Sequence, residues 1–224
     1  MTKTGIALLC GLLLAGCSAL PERSGGSRQT VASPSPTRTV AMPYSPQAGQ
    51  CMARLGQMGA QYTPVPDRYM EQGCAILGSV QLASLQSDSA SLGVTNLGPV
   101  TCEVSEVFSG WARYGVDRAA RQIFGSAVRR IETMGSYSCR NVAGTNRRSG
   151  HATGTAIDVS GFLLEDGRRI TVKDGWNGNS RERQFLQVVQ DSACKRFGTV
   201  LGPSYNTAHA DHLHVELGNG SFCR

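Results

Sequence analysis

The sequence is poor in the features that would make its partners obvious. Charged residues are only 17% of its 224 residues, and no run of five or more basic side chains accompanies the net charge of +6. A nucleic-acid partner is therefore not indicated. The spread-out basic excess suits plain solubility or an acidic substrate. No cysteines from Cys51 onward lie close together. The shortest spacing is Cys51 to Cys74, which excludes the C-x2-4-C pairs of structural metal sites. The apolar run near the N-terminus, Ile6 to Ala15, is shorter than the about 20 residues of a membrane span. What is present is ordinary: 40% hydrophobic residues, in a chain long enough for one well-cored domain.

The N-terminus carries the first positive signal. One charge in Met1–Lys3 precedes the apolar run, the shape of a secretory signal. It ends Leu14-Ala15-Gly16-Cys17, where small residues before a cysteine resemble the lipobox of bacterial lipoproteins. The resemblance implies a signal peptide over residues 1–16, cleavage before Cys17 and lipid on Cys17. Ser18 in the next position points to the outer membrane, facing the periplasm. Export places the chain in an oxidising compartment. Cys10 leaves with the signal. Cys51, Cys74, Cys102, Cys139, Cys194 and Cys223 then suffice for three disulfides, whose pairing the spacing leaves open.

Residues 17–49 are rich in Ser, Pro, Thr, Gly and Arg, as in Ser33-Pro34-Ser35-Pro36-Thr37, and read as a flexible tether. The folded domain is expected over 50–224, opening with a short helix around Gln50–Gly59. Thr63–Asp67 reads as turn or extended chain. Val80, Leu82 and Leu85 suggest a strand followed by a loop. Thr101 is placed to cap a long helix with Val104, Val107, Phe108, Trp111, Ala119, Ile123 and Phe124 inward, loosened near Gly115. Strands are expected over Val128–Met134, Tyr137–Arg140, Ala156–Ser160, Arg169–Lys173, Val200–Leu201 and Leu213–Leu217. A second helix is expected after a Ser180 cap, with Phe185, Leu186, Val188, Val189 and Phe197 inward. The class is α+β, a mainly antiparallel sheet with flanking helices and no internal repeat.

The chain has four histidines, His151, His209, His212 and His214, and the last three fall within six residues. On a strand, Asp158 points away from Ile157 and Val159, whose face would meet the core. On a second strand, His212, His214 and Glu216 share a face opposite Leu213 and Val215. Two imidazoles about 7 Å apart on one strand face can meet one small site. Gly150 and Gly154 permit close approach of backbone to a metal or substrate. Two His and one Asp with an open fourth position make a catalytic zinc arrangement.

The pattern S-x-H-x-x-G-x-A-x-D followed by H-x-H, from Ser149 to Asp158 and His212 to His214, resembles the lysostaphin, D-Ala-D-Ala metallopeptidase and hedgehog group. The resemblance implies a hedgehog- or D-Ala-D-Ala-peptidase-like fold and zinc on His151, Asp158 and His214. The run His209-x-x-His212-x-His214 is similar to that of penicillin-insensitive murein endopeptidases. It nominates His212 as general base and His209 as its helper or a transition-state stabiliser. From Cys51 onward the chain resembles the bacterial extensin-like C-terminal family. This rests on Tyr62–Pro66, Gly135-Ser136-Tyr137-Ser138-Cys139-Arg140-Asn141, Ala156–Phe162 and Phe197–Pro203. Gly150 stands where that family often has Glu. Asp211 is either an imidazole partner or a turn residue, and Glu216 is the rival base. Arg140 and Ser149 are candidate substrate contacts.

These features together predict a zinc-dependent hydrolase of peptidoglycan stem peptides or cross-links, with D-Ala–diaminopimelate the favoured bond. Its expected partners are peptidoglycan and, through the lipid anchor only, a membrane. The alternative is a non-catalytic zinc-containing lipoprotein for wall binding or envelope assembly. His209 and His212 weigh against it, because a binding module needs no extra imidazoles beside a metal.

Overall fold

The computed structural model describes residues 44–70, 73–218 and 220–224. The signal segment, Cys17 and the tether up to residue 43 lie outside the described residues. The described chain begins with helix α1 (Pro46–Gln57), ahead of its expected start. Ser45 Oγ accepts a hydrogen bond from Ala48 N, and Pro46 fills the first turn, where its missing N–H costs nothing.

Strand β1 (Gln61–Pro64) and the small hairpin β2 (Arg68–Tyr69) and β3 (Ala75–Ile76) lead into β4 (Ser79–Gln86). The expected loop after β4 is a tight turn into β5 (Ser91–Thr95). Ser87 Oγ closes it by accepting from Ser89 N and Ala90 N. After β6 (Val100–Thr101), Thr101 caps α2 (Cys102–Trp111) as predicted. The loosening near Gly115 is a π-helical turn, Ala112–Asp117, before α3 (Arg118–Phe124). A Cβ on Gly115 would overlap Ser192.

Strand β7 (Val128–Gly135) ends at a φ of 119° on Gly135, and the expected strand over Tyr137–Arg140 does not form. The chain turns out of the sheet there and is tied through Cys139 to Cys74. The remainder is β8 (Ala156–Leu164), β9 (Arg169–Thr171), the single turn α4 (Val172–Gly175), α5 (Ser180–Cys194), β10 (Thr199–Leu201), β11 (Leu213–Glu216) and β12 (Phe222–Cys223). The cap of α5 is Asn179, not Ser180: its Oδ1 accepts from Arg181 N and Glu182 N, both at 3.1 Å.

The main sheet runs β1-β4-β5-β7-β8-β11-β10-β12, with β6 beside β4 and β9 beside β8. Its pairs are antiparallel except β5–β7 and β10–β12, so the predicted α+β class holds. Helix α2 packs on β4, and α5 on β10. Phe108, Trp111, Phe162 and Phe185 are fully buried in the shared core, and Trp111 Nε1 donates to Val189 O at 3.1 Å. Phe185, Leu186 and Val189 face inward as expected. Val188 lies off that stripe and is exposed. The six cysteines pair as Cys51–Cys102, Cys74–Cys139 and Cys194–Cys223, joining α1 to α2, β2–β3 to the segment after β7, and α5 to β12.

Candidate metal centre

His151 sits in a one-turn 3-10 helix, Gly150–Thr153. Ser149 Oγ accepts from His151 N at 3.4 Å at its start, and Gly154 closes it with a φ of 66°. The ring is buried, and its Nδ1 donates to the backbone oxygen of Ser136. That bond leaves Nε2 as the free lone pair. The backbone is held as well: Ser138 N donates to His151 O at 2.9 Å.

Asp158 lies on β8 between Ile157 and Val159, which are fully buried. Alternation therefore turns its carboxylate to the other face. β11 pairs with β8 so that His214 lies directly opposite Asp158. His151 Nε2 is 3.2 Å from Asp158 Oδ2 and 3.1 Å from His214 Nδ1, and His214 Nδ1 is 2.9 Å from Asp158 Oδ1. These three side chains form a group that could hold a metal ion.

The electrostatics favour a cation at this point. Burial would raise the Asp158 carboxyl, but hydrogen bonds and charge from His151 and His214 outweigh it and hold it well below the usual carboxylate range. Burial also opposes charge on His214, yet Asp158 and Glu216 push it up to about 9. A pocket that attracts a proton this strongly is one in which a metal and a proton compete.

His212 does not share the β11 strand with His214 as expected, because the strand begins at Leu213. It still reaches the group: Nε2 is 3.6 Å from Asp158 Oδ1, while Nδ1 donates to Asp211 Oδ1 at 2.8 Å. Asp211 is thus an imidazole partner. His209 ends a 3-10 turn, Thr207–His209, with Nδ1 bonded to Asn206 Oδ1 at 2.7 Å and its ring centroid 5.1 Å from that of His212. Burial first, then His212 and His214, push His209 down to about 4, so it is neutral at pH 7.

Three of the four histidines, His209, His212 and His214, line a cleft of about 500 Å³, together with Asp158, Arg140, Arg147, Ser149 and Tyr205. Arg140 thus stands on the wall of the site. Ser149 also lines it, with its oxygen engaged in capping the His151 turn. The sequence pattern does not single out Ser136, Tyr205, Asn206 or Arg147 as site residues. Ser136 acts through its backbone oxygen, which no side-chain pattern reveals. Asn206, three residues before His209, carries a turn signal that was legible.

The fold and the site together define an α+β domain with a largely buried His–Asp–His group beside a histidine-lined cleft. The chain matches the family described as Extensin-like protein C-terminus over residues 49–224, and it belongs to that family. No curated protein and no solved structure matches it significantly.

Proposed function

We propose that the chain is a zinc-dependent peptidase of the bacterial cell wall, acting on peptidoglycan stem peptides or cross-links. The observation that carries this reading is the triangle of ligand atoms with His212 and His209 beside it. Ligand atoms about 2.0–2.1 Å from a tetrahedral zinc lie about 3.3 Å apart. Here His151 Nε2 and His214 Nδ1 are 3.1 Å apart, and both meet the Asp158 carboxylate, His214 at 2.9 Å from Oδ1 and His151 at 3.2 Å from Oδ2. His151, Asp158 and His214 would hold the ion, and the set has three protein ligands, as catalytic rather than structural zinc sites do.

A bound zinc would supply Lewis-acid polarisation of a peptide carbonyl and would lower the pKa of a water toward about 7. The residues around it divide the remaining work. His212 accepts a proton at Nε2 and later returns it to the leaving amine, while Asp211 holds its Nδ1–H. His209, neutral and turned by Asn206, assists from the adjacent wall. Arg140 offers a guanidinium to a substrate carboxylate or to a developing oxyanion.

The wall as substrate is supported by the lipobox and tether, which would anchor the domain at the outer membrane, facing the periplasm. It is also supported by the likeness of the histidine pattern to the lysostaphin and D-Ala-D-Ala metallopeptidase group. The favoured bond is D-Ala–diaminopimelate in a cross-link. The test is digestion of purified wall, with zinc or with chelator, followed by mass spectrometry of the released muropeptides. Loss of cross-linked dimers with zinc alone is expected. Dimers that persist equally in both would sink the proposal, and wall binding without cleavage would favour the non-catalytic lipoprotein.

A further inference from the structure

We propose that Glu216 is a positioning residue of this centre and that position 150 is glycine because the Glu216 carboxylate occupies the place of its side chain. The inference rests on the reading of His151, Asp158 and His214 as metal ligands. A neutral imidazole carries one proton and can present either nitrogen. His214 faces the ligand triangle with Nδ1, so its proton must sit on Nε2 and needs an acceptor there. Glu216, two residues along the same strand face, brings Oε2 to 3.1 Å from that Nε2.

The opposite ligand is held in the same way, with the far nitrogen of His151 donating to Ser136 O. Each histidine therefore has its ring orientation and tautomer set by one outer partner: a neutral carbonyl for His151, a carboxylate for His214. The carboxylate has the larger effect on basicity, because a negative acceptor polarises the ring toward the metal side. The same geometry removes Glu216 as the rival base. Its carboxylate bonds the edge of His214 that points away from the triangle.

Gly150 completes the argument. Its φ is not in the left-handed region, so the backbone does not require glycine there. A Cβ built on it would overlap Glu216 Cδ and Oε1, and the three nearest atoms it would meet all belong to Glu216. The residue beside the first ligand thus makes room for the carboxylate that orients the third. The sequence separates these positions widely, and the pairing of β11 with β8 sets Glu216 opposite Ala156, just after the turn that carries Gly150.

The test uses the purified protein and zinc alone. Dissociation constants are measured by competition with a chromophoric chelator for the natural protein, Glu216→Ala, Glu216→Gln, Gly150→Ala and the Gly150→Ala/Glu216→Ala double variant. The visible spectrum of each cobalt-substituted protein reports ligand geometry. Glu216→Ala should weaken zinc about 10- to 100-fold. Glu216→Gln should recover part of the loss, since its amide oxygen accepts the same hydrogen bond. Gly150→Ala should weaken zinc comparably, while the double variant should be no worse than Glu216→Ala. Unchanged affinity and spectrum in Glu216→Ala, or additive losses in the double variant, would overturn the proposal. If the natural protein itself takes up no zinc, the metal reading falls and this proposal with it.

Discussion

Asp158 and His214 face each other across the β8–β11 pair, Oδ1 to Nδ1 2.9 Å apart, although 56 residues separate them in the chain. Directly opposed strand residues bring their side chains together on one face, so strand register alone sets this edge of the ligand triangle. A slip of one residue would send His214 into the core and Leu213 into the cleft. Removing either member should therefore empty the site. Asp158→Ala and His214→Ala are expected to carry zinc at background level by elemental analysis. In the natural protein, zinc at 100-fold excess over its dissociation constant should add about 2.7 kcal/mol of stability, lost on chelation and read as a fall in Tm.

Turnover and metal binding should separate at His212. His212→Ala is expected to keep zinc and lose about 10²- to 10⁴-fold in kcat on cross-linked muropeptides. Asp211→Asn should lose less, because the base remains and only its partner changes. A His212→Ala protein that keeps full turnover would remove the assignment.

A large stability loss outside the centre is expected at Asp117. Its carboxylate is fully buried and accepts from Val128 N at 2.8 Å and Arg121 Nε at 2.8 Å, tying the π-helical turn to β7. Asp117→Ala leaves a buried N–H and a guanidinium without their acceptor. It should cost about 3 kcal/mol, measured as a lower midpoint in urea at unchanged slope.

Acid sensitivity should be traceable to Asp88. Hydrogen bonds from Arg118 and Arg113 hold its carboxyl well below the usual carboxylate range. A depressed folded pKa contributes stability that is present above the unfolded value, about 3.9, and is lost as pH falls through the folded value. Asp88→Asn should therefore lower Tm at pH 6, and the difference from the natural protein should shrink below pH 4. Because the groups are exposed, 0.5 M salt should shrink it too.

The Cys74–Cys139 bond should matter to the metal as well as to the fold. It anchors the irregular segment whose Ser136 oxygen accepts the hydrogen bond from His151 Nδ1 and whose Ser138 N–H donates to the His151 carbonyl. Replacing both cysteines with serine is expected to cost about 2–4 kcal/mol in unfolding experiments. It should also weaken zinc in the same chelator competition.

Much of the fold was legible because local patterns carried it. Thr101 before an apolar helical stripe, Gly115 within it and the alternation around Asp158 each act within a few residues. Two segments depart from their local pattern. Val188 looks apolar and inward, but the inward stripe of α5 passes through Leu186 and Val189 instead. Tyr137–Arg140 has strand-forming residues, yet Gly135 and a disulfide partner far back in the chain direct it out of the sheet.

By itself, the sequence determined the residue types of the centre: a His and an Asp spaced around a turn into a strand, and a tight histidine cluster beside a second strand. It also determined that six cysteines were available to pair. The tertiary structure decided the rest. Which cysteines bond, which nitrogen of His214 faces Asp158, and why Gly150 has no side chain all depend on groups distant in sequence. Strand register and burial bring those groups together, and neither is a property of any short stretch of chain.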